Sequence, residues 1–108
     1  MNYYVTTSIP YVNADPHIGF GMELVQADVL ARYARKSGNK VIFSTGTDEH
    51  GGKIAEKATE LKLTPKAFAD QISLQFQELG KLLNISNDRF VRTTDVAHEQ
   101  RAASFGKT

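Results

Sequence analysis

The feature that most constrains the fold is an apolar segment followed by a helix start, a pattern that occurs more than once in 108 residues. Val5-Thr6-Thr7 predicts a short strand, and Asp15 and Pro16 are a typical N-cap and first helical residue. Residues 40–45 (KVIFST) predict a buried strand, after which residues 46–52 form a Gly-rich polar turn. A third strand is predicted at residues 88–92. Strands that alternate with helices indicate a parallel sheet with right-handed crossovers.

Three helices are predicted between these strands, which gives the order β-α-β-α-α-β. The first runs from Asp15 to Lys36 and stops at Gly38. Its apolar stripe at helical spacing consists of Ile18, Met22, Val25, Val29 and Tyr33. The second helix is marked by Ile54, Ala58 and Leu61. The third is capped by Thr64 and Pro65 and has the stripe Phe68, Ile72, Phe76, Leu79 and Leu83. A weak helical signal follows from Ala97 onward.

Composition excludes several classes of function. Thirteen Lys and Arg against twelve Asp and Glu give a net charge of +1, so no global field recruits nucleic acid or an anionic membrane. The absence of Cys excludes disulfides, thiolate-bound zinc and cysteine catalysis within these residues. No apolar run approaches the roughly 18 residues of a membrane span, and no signal peptide is recognisable. We expect a cytoplasmic protein.

The loop before the first helix has the chemistry of an anion-binding site. The first N–H groups of a helix are unpaired, and its dipole favours negative charge there. His17 adds a donor at this point, and Gly19 allows close approach of a ligand. The alternative is that His17 only covers the helix end. Residues 19–24 (GFGMEL) lack the third Gly of a dinucleotide-binding fingerprint, which excludes that reading.

A metal site is not expected in this chain. Asp48, Glu49 and His50 are adjacent on one turn, and adjacent side chains rarely converge on one ion. A solvated turn is favoured for this segment.

Three ordered blocks of sequence are recognisable at this point. The first comprises residues 8–13 (SIPYVN) and 16–20 (PHIGF), the second residues 45–51 (TGTDEHG), and the third residues 83–90 and 92–95. Together they resemble the HIGH-motif region and the following blocks of class I aminoacyl-tRNA synthetases, specifically the methionyl-tRNA synthetase family. The resemblance covers residues 3–95. It implies a Rossmann-like, HUP-type nucleotide-binding half-domain with a parallel sheet and flanking helices.

The resemblance also implies roles for individual residues. The HIGH segment of the family contacts ATP, which implies ATP binding by His17, Gly19, Phe20 and Glu23, with His17 as the catalytic residue. Methionine binding is implied for Ile9, Tyr11 and Asp48, with the carboxylate on the ammonium group. An aromatic face suits a thioether, and a carboxylate suits an ammonium.

The implied reaction joins methionine and ATP, supplied with Mg²⁺, into methionyl-adenylate and transfers the methionyl group to tRNA(Met). Zinc is expected only in a longer parent. Residues 1–108 resemble the N-terminal part of the catalytic domain, apparently truncated, so we expect the chain to be inactive alone and able to self-associate. The alternatives are a non-catalytic remnant or binding module and another HIGH-motif nucleotidyltransferase.

Three positions depart from the pattern of the family. Phe20 replaces the second His of HIGH, so one phosphate donor is missing, and a change of Phe20 to Leu is expected to leave the rate of adenylate formation nearly unchanged. Ala14 stands where a Gly is frequent, and Gly80 stands where a large aromatic residue is common.

Overall fold

Three parallel strands and four helices make up the part of the chain that the structure describes. The computed structural model describes residues 1–11 and 16–106. The elements are β1 (Asn2–Thr6), α1 (Ile18–Lys36), β2 (Lys40–Thr47), α2 (Gly52–Glu60), α3 (Pro65–Leu82), β3 (Arg89–Arg92) and α4 (Val96–Gly106). The sheet has the order β1-β2-β3, with Val5 opposite Phe43 and Gly46 opposite Val91. The predicted α/β fold with a parallel sheet is confirmed.

The start of α1 differs from the prediction. Asp15, the predicted N-cap, lies outside the described residues, and Pro16 precedes the helix instead of opening it. The N-cap is His17, whose backbone is extended. The predicted end is confirmed, because α1 stops at Lys36 and Gly38 follows with a φ of 89°. Glycine adopts this left-handed conformation without steric cost.

The predicted apolar stripe of α1 does not form the buried face of the helix. Ile18 is 84% exposed and Tyr33 is 73% exposed. The buried face lies elsewhere on the helix, at Phe20, Leu24, Ala27, Asp28, Ala31 and Ala34. Its apolar members recur at helical spacing just as the predicted stripe does, so periodicity alone did not separate the two faces. Small alanine side chains face the sheet, and they allow α1 to lie close against β1 and β2.

The core between α1, α2 and α3 is built largely from aromatic and branched side chains. Phe20 and Phe76 meet edge to face with ring centroids 5.3 Å apart. The predicted stripe of α3 is confirmed at Phe68, Ile72 and Phe76, whereas Leu83 is 37% exposed. Gly80 borders a cavity of about 150 Å³ in this region, and an added Cβ there would meet no atom within 4 Å.

The second strand is longer than predicted. Gly46 and Thr47, assigned to the turn from the sequence, belong to β2 and pair with β3. Any Cβ at Gly46 would overlap the carbonyl of Val91, so glycine is required for the two strands to pair here. The first three residues of the second sequence block, residues 45–47, therefore belong to the sheet.

Polar contacts fix the loop before β3 against α1. Asp28 accepts hydrogen bonds from the backbone N–H and the hydroxyl of Ser86, while Arg35 donates to Ser86 and Asp88. Asp88 in turn accepts from the N–H of Phe43 at 2.8 Å. These bonds align β3 beside β2. No helix in the described part of the chain has the length and apolar character needed to cross a membrane.

The burial of Phe20 gives a first testable prediction. Replacement of Phe20 by Leu removes the edge-to-face pair with Phe76 and leaves unfilled volume, and we expect a loss of about 1–2 kcal/mol in the free energy of unfolding. Val29→Ala, at a position 60% exposed on the same helix, is the matched control and is expected to change it by less than about 0.5 kcal/mol. Urea denaturation measures both. Equal stability of the wild-type chain and Phe20→Leu would contradict this packing.

Candidate functional site

The candidate site lies where β1 and β2 end at the same edge of the sheet. Residues 8–11 follow β1, and residues 48–51 follow β2. The two segments remain paired beyond the strands through an isolated parallel bridge between Tyr11 and Asp48. Within it, the N–H of Asp48 donates to the carbonyl of Pro10 at 2.9 Å. The structure therefore brings together two of the three residues assigned to methionine.

Tyr11 is held in place by the turn that follows Asp48. Its ring is partly buried against the core cluster that contains Phe20. The hydroxyl lies against the Cα of Gly51, where any Cβ would overlap it. Gly51 also has a φ of 139°, so this position requires glycine for two reasons. The third predicted residue, Ile9, is 42% exposed beside this pair in sequence.

His17 lies at the N-terminus of α1 and caps it. Its Nδ1 accepts a hydrogen bond from the N–H of Gly19 at 3.0 Å. An accepting Nδ1 in a neutral imidazole places the ring proton on Nε2, which makes Nε2 a donor. A Cβ at Gly19 would lie 2.8 Å from Cε1 of His17, so glycine allows the ring to fold over the helix end. The structure shows that His17 caps the helix, and donation from its Nε2 to a ligand stays a prediction.

Glu23 connects the first block to α1. Its two carboxylate oxygens accept from the N–H of Ser8 at 2.6 Å and from the hydroxyl of Ser8 at 2.8 Å. In this structure the side chain holds Ser8 against α1.

Phe20 faces the core and is 6% exposed. Any contact between a ligand and this position has to come from the backbone. The groove beside His17, of about 490 Å³, is lined by Ile18, Met22, Val25, Leu79 and Leu83 among others, and Tyr11 and Asp48 are not part of its lining.

Sequence reasoning missed Glu49. The sequence predicts a solvated turn for this segment, but the side chain of Glu49 is 0% exposed and pairs with Arg92. One oxygen accepts from Nε of Arg92 at 2.6 Å, and the other accepts from Nη2 at 2.7 Å. The hydroxyls of Thr47 and Thr94 donate to the same carboxylate at 2.7 Å each. The only sequence signal is that Thr47 and Glu49 alternate with Asp48 in an extended segment.

The charges of this cluster alter its pKa values in opposite directions. Burial raises the pKa of Glu49, but hydrogen bonds from Arg92, Thr47 and Thr94 outweigh it and hold the pKa below its ordinary value. The pKa of Arg92 is raised, chiefly by its hydrogen bonds to Glu49. Arg92 also donates to Asp70 on α3, and this bond lowers the pKa of Asp70. All three groups are charged at neutral pH.

No group of three or more metal-ligating side chains converges within residues 1–11 and 16–106. His50 instead places its Nε2 3.1 Å from the carbonyl of Thr93.

Comparison with known proteins relates the chain to one family. The family model described as tRNA synthetases class I (M) matches residues 3–108. A methionine–tRNA ligase of Rickettsia bellii is 48% identical over 103 residues, covering 95% of this chain and 20% of that protein. A methionine–tRNA ligase of Thermotoga maritima is 45% identical over 105 residues, covering 97% of this chain and 17% of that protein.

A solved structure gives the same result. The Mycobacterium tuberculosis methionyl-tRNA synthetase bound by methionyl-adenylate superposes with a TM-score of 0.90 at 46% identity, over 93% of this chain and 20% of that one. The chain therefore spans about a fifth of the length of the relatives that it matches.

The lowered carboxylate pKa values predict how stability depends on pH. As pH falls through about 4, the unfolded chain takes up protons before the folded carboxylates of Asp28, Glu49 and Asp70 do. The contribution of these carboxylates to the free energy of unfolding is therefore fully present above this pH. It is lost as the pH falls towards the lower pKa values of the folded state. Urea melts in steps from about pH 6 to about pH 3 measure the slope.

Asp70→Asn tests whether this cluster contributes to the slope. The variant removes one carboxylate with a lowered pKa, so we expect its stability to fall less steeply with pH than that of the wild-type chain. Glu56→Gln removes a carboxylate at an exposed position on α2 and is the control for the loss of one negative charge. A slope in Asp70→Asn as steep as in the wild type would rule out this contribution.

Proposed function

The chain belongs to the class I tRNA synthetases of the methionine type, and from this membership we propose that it carries the HIGH-region part of an ATP and methionine site. The proposed reaction is the ATP-dependent activation of methionine to methionyl-adenylate, followed by transfer to tRNA(Met). Because the chain spans about a fifth of its relatives, further residues complete the reaction, and we propose that the chain alone does not form the adenylate.

The observation that carries this proposal is the pairing of Tyr11 with Asp48. Asp48 presents a carboxylate to the α-ammonium group of the amino acid, and charge-assisted hydrogen bonds of this kind are among the stronger polar contacts. Tyr11 presents an aromatic ring to the thioether, a contact that favours sulfur near the ring. A backbone bridge joins the two residues, so one substrate molecule reaches both. Ile9 belongs to the same proposed site through its position in the first block.

The phosphates of ATP are assigned to the N-terminus of α1. The N–H groups of the first turn and Nε2 of His17 are donors there, and negative charge is favoured at a helix N-terminus. Donors that strengthen their bonds as charge develops stabilise the transition state more than the bound substrate. Mg²⁺ enters with ATP as part of the substrate. We also propose that the protein acts in the cytoplasm.

Methionine binding by the chain tests the proposal directly. In a titration of the ¹⁵N-labelled chain with methionine, we expect saturable shifts of the amide signals of Tyr11 and Asp48, with alanine as the control amino acid. Asp48→Asn keeps the size of the side chain and removes its charge. It is expected to weaken methionine binding by at least about tenfold. Glu56→Gln is the matched charge control. Undiminished methionine affinity in Asp48→Asn would remove Asp48 from the site.

The two roles of His17 can be separated with two variants. Asn is a favoured N-cap residue, so His17→Asn should keep the cap, whereas His17→Ala should lose about 1 kcal/mol of stability. Both variants lack the donor at Nε2. If this donor stabilises the transition state, both should lower the rate of adenylate formation about 10²–10³-fold with a smaller change in the KM for ATP.

The rate is measured in a chimera in which this chain replaces the equivalent segment of the Mycobacterium tuberculosis relative, which has the same fold over 93% of the chain. Single-turnover adenylation gives the rate, and thermal melting of the chain gives the stability. A normal rate in His17→Asn together with normal stability would show that capping is the whole role of His17.

A further inference from the structure

Glu49 and Arg92 form a buried ion pair beside the proposed methionine site. Four hydrogen bonds reach the carboxylate of Glu49, two of them from Arg92. The side chain of Arg92 is 23% exposed and continues to Asp70 on α3. The cluster therefore links the end of β2 with β3 and α3 through charged groups.

Thr93, the residue that follows Arg92, fixes the backbone on both sides of Asp48. The N–H of Glu49 donates to the hydroxyl of Thr93 at 2.7 Å, and the N–H of Thr93 donates to the carbonyl of Thr47 at 3.2 Å. Neighbouring side chains of an extended segment point to opposite sides. Because the side chain of Glu49 is directed to Arg92 on one face of the segment, the side chain of Asp48 is directed to the opposite face. The backbone of Asp48 pairs with residues 10 and 11 in the plane of the sheet.

Loss of either Glu49 or Arg92 would shift the backbone on which Asp48 lies. A buried charge without its partner is strongly unfavourable, so the unpaired group moves towards water. Glu49 can reach water only if the backbone of residues 48–51 shifts. Such a shift weakens the bond from the N–H of Asp48 to Pro10 and displaces Gly51 from Tyr11.

We propose that Glu49 and Arg92 are positioning residues, whose ion pair holds Asp48 and Tyr11 in the geometry that binds the α-amino group and side chain of methionine. The proposal rests on the proposed function, since it names the support of that same site. It assigns no contact with substrate to either residue. Asp70 acts one step further away, by holding Arg92.

The test compares Glu49→Gln and Arg92→Lys with the wild-type chain, and uses Glu60→Gln as control because Glu60 forms an exposed ion pair with Lys57 on α2. Arg92→Lys keeps the charge and loses the two-pronged contact. Thr94→Val removes a single hydrogen bond to Glu49 and serves where the other variants do not fold. Two quantities are measured: hydrogen exchange at the N–H of Asp48, and the Kd values for methionine and for ATP.

We expect exchange at Asp48 to accelerate at least about tenfold in Glu49→Gln, with Arg92→Lys intermediate and Glu60→Gln unchanged. The Kd for methionine should rise about 10–100-fold and the Kd for ATP less than about twofold, since small misplacements of binding groups have effects of this size. If the ion pair only stabilised the fold, its loss would weaken the binding of methionine and of ATP to the same extent.

Unchanged exchange at Asp48 in a folded Glu49→Gln variant would overturn the proposal, as would equal losses of methionine and ATP affinity. Failure of the wild-type chain to bind methionine would instead contradict the proposed function. In that case the exchange at Asp48 still decides whether the ion pair positions this residue.

Discussion

The parallel pairing of β1 with β2 is the constraint on which the rest of the structure depends. It places the first two sequence blocks at the same edge of the sheet, and the bridge between Tyr11 and Asp48 extends the pairing beyond the strands. A backbone hydrogen bond from the N–H of Asp48 to the carbonyl of Pro10 belongs to this extension. Each of the two bridged segments is held by a side-chain contact: Glu23 holds Ser8 against α1, and Arg92 holds Glu49 against β3. The candidate site is therefore assembled by the sheet and stabilised by the carboxylates of Glu23 and Glu49, which accept hydrogen bonds from groups of the protein itself.

Much of the fold could be predicted from the sequence, because strands and helix ends leave local signals. Thr64 and Pro65 marked the start of α3, and Gly38 marked the end of α1. The buried face of α1 could not be predicted in this way. The larger apolar side chains, such as Met22 and Tyr33, form a regular stripe but are exposed, whereas Ala27 and Ala31 face the sheet. Which stripe is buried depends on the space between helix and sheet, and spacing in the sequence contains no information about that distance.

The candidate site divides in the same way. Tyr11 and Asp48 could be assigned through the resemblance to the family, and the structure shows that they are adjacent. Glu49 could not be found, because its partner Arg92 is 43 residues away and the chain between them gives no sign of the pairing. A Gly-rich segment with three charged or titratable residues resembles a solvated turn until the strand beside it is known. Phe20 is the opposite case. Its place in the motif predicts a contact with ATP, whereas the structure shows that its side chain is buried in the core.

In the proposed site, the segments after β1 and β2 form one wall around methionyl-adenylate, and the N-terminus of α1 lies on its phosphate side. The most direct measurement is the set of intermolecular nuclear Overhauser effects between the labelled chain and a sulfamoyl analogue of methionyl-adenylate. We expect contacts from the S-methyl group to the ring of Tyr11, and from the ribose and linker to His17 and Gly19. Contacts confined to the groove between α1 and α3 around Met22 and Leu83, with none to Tyr11, would contradict it.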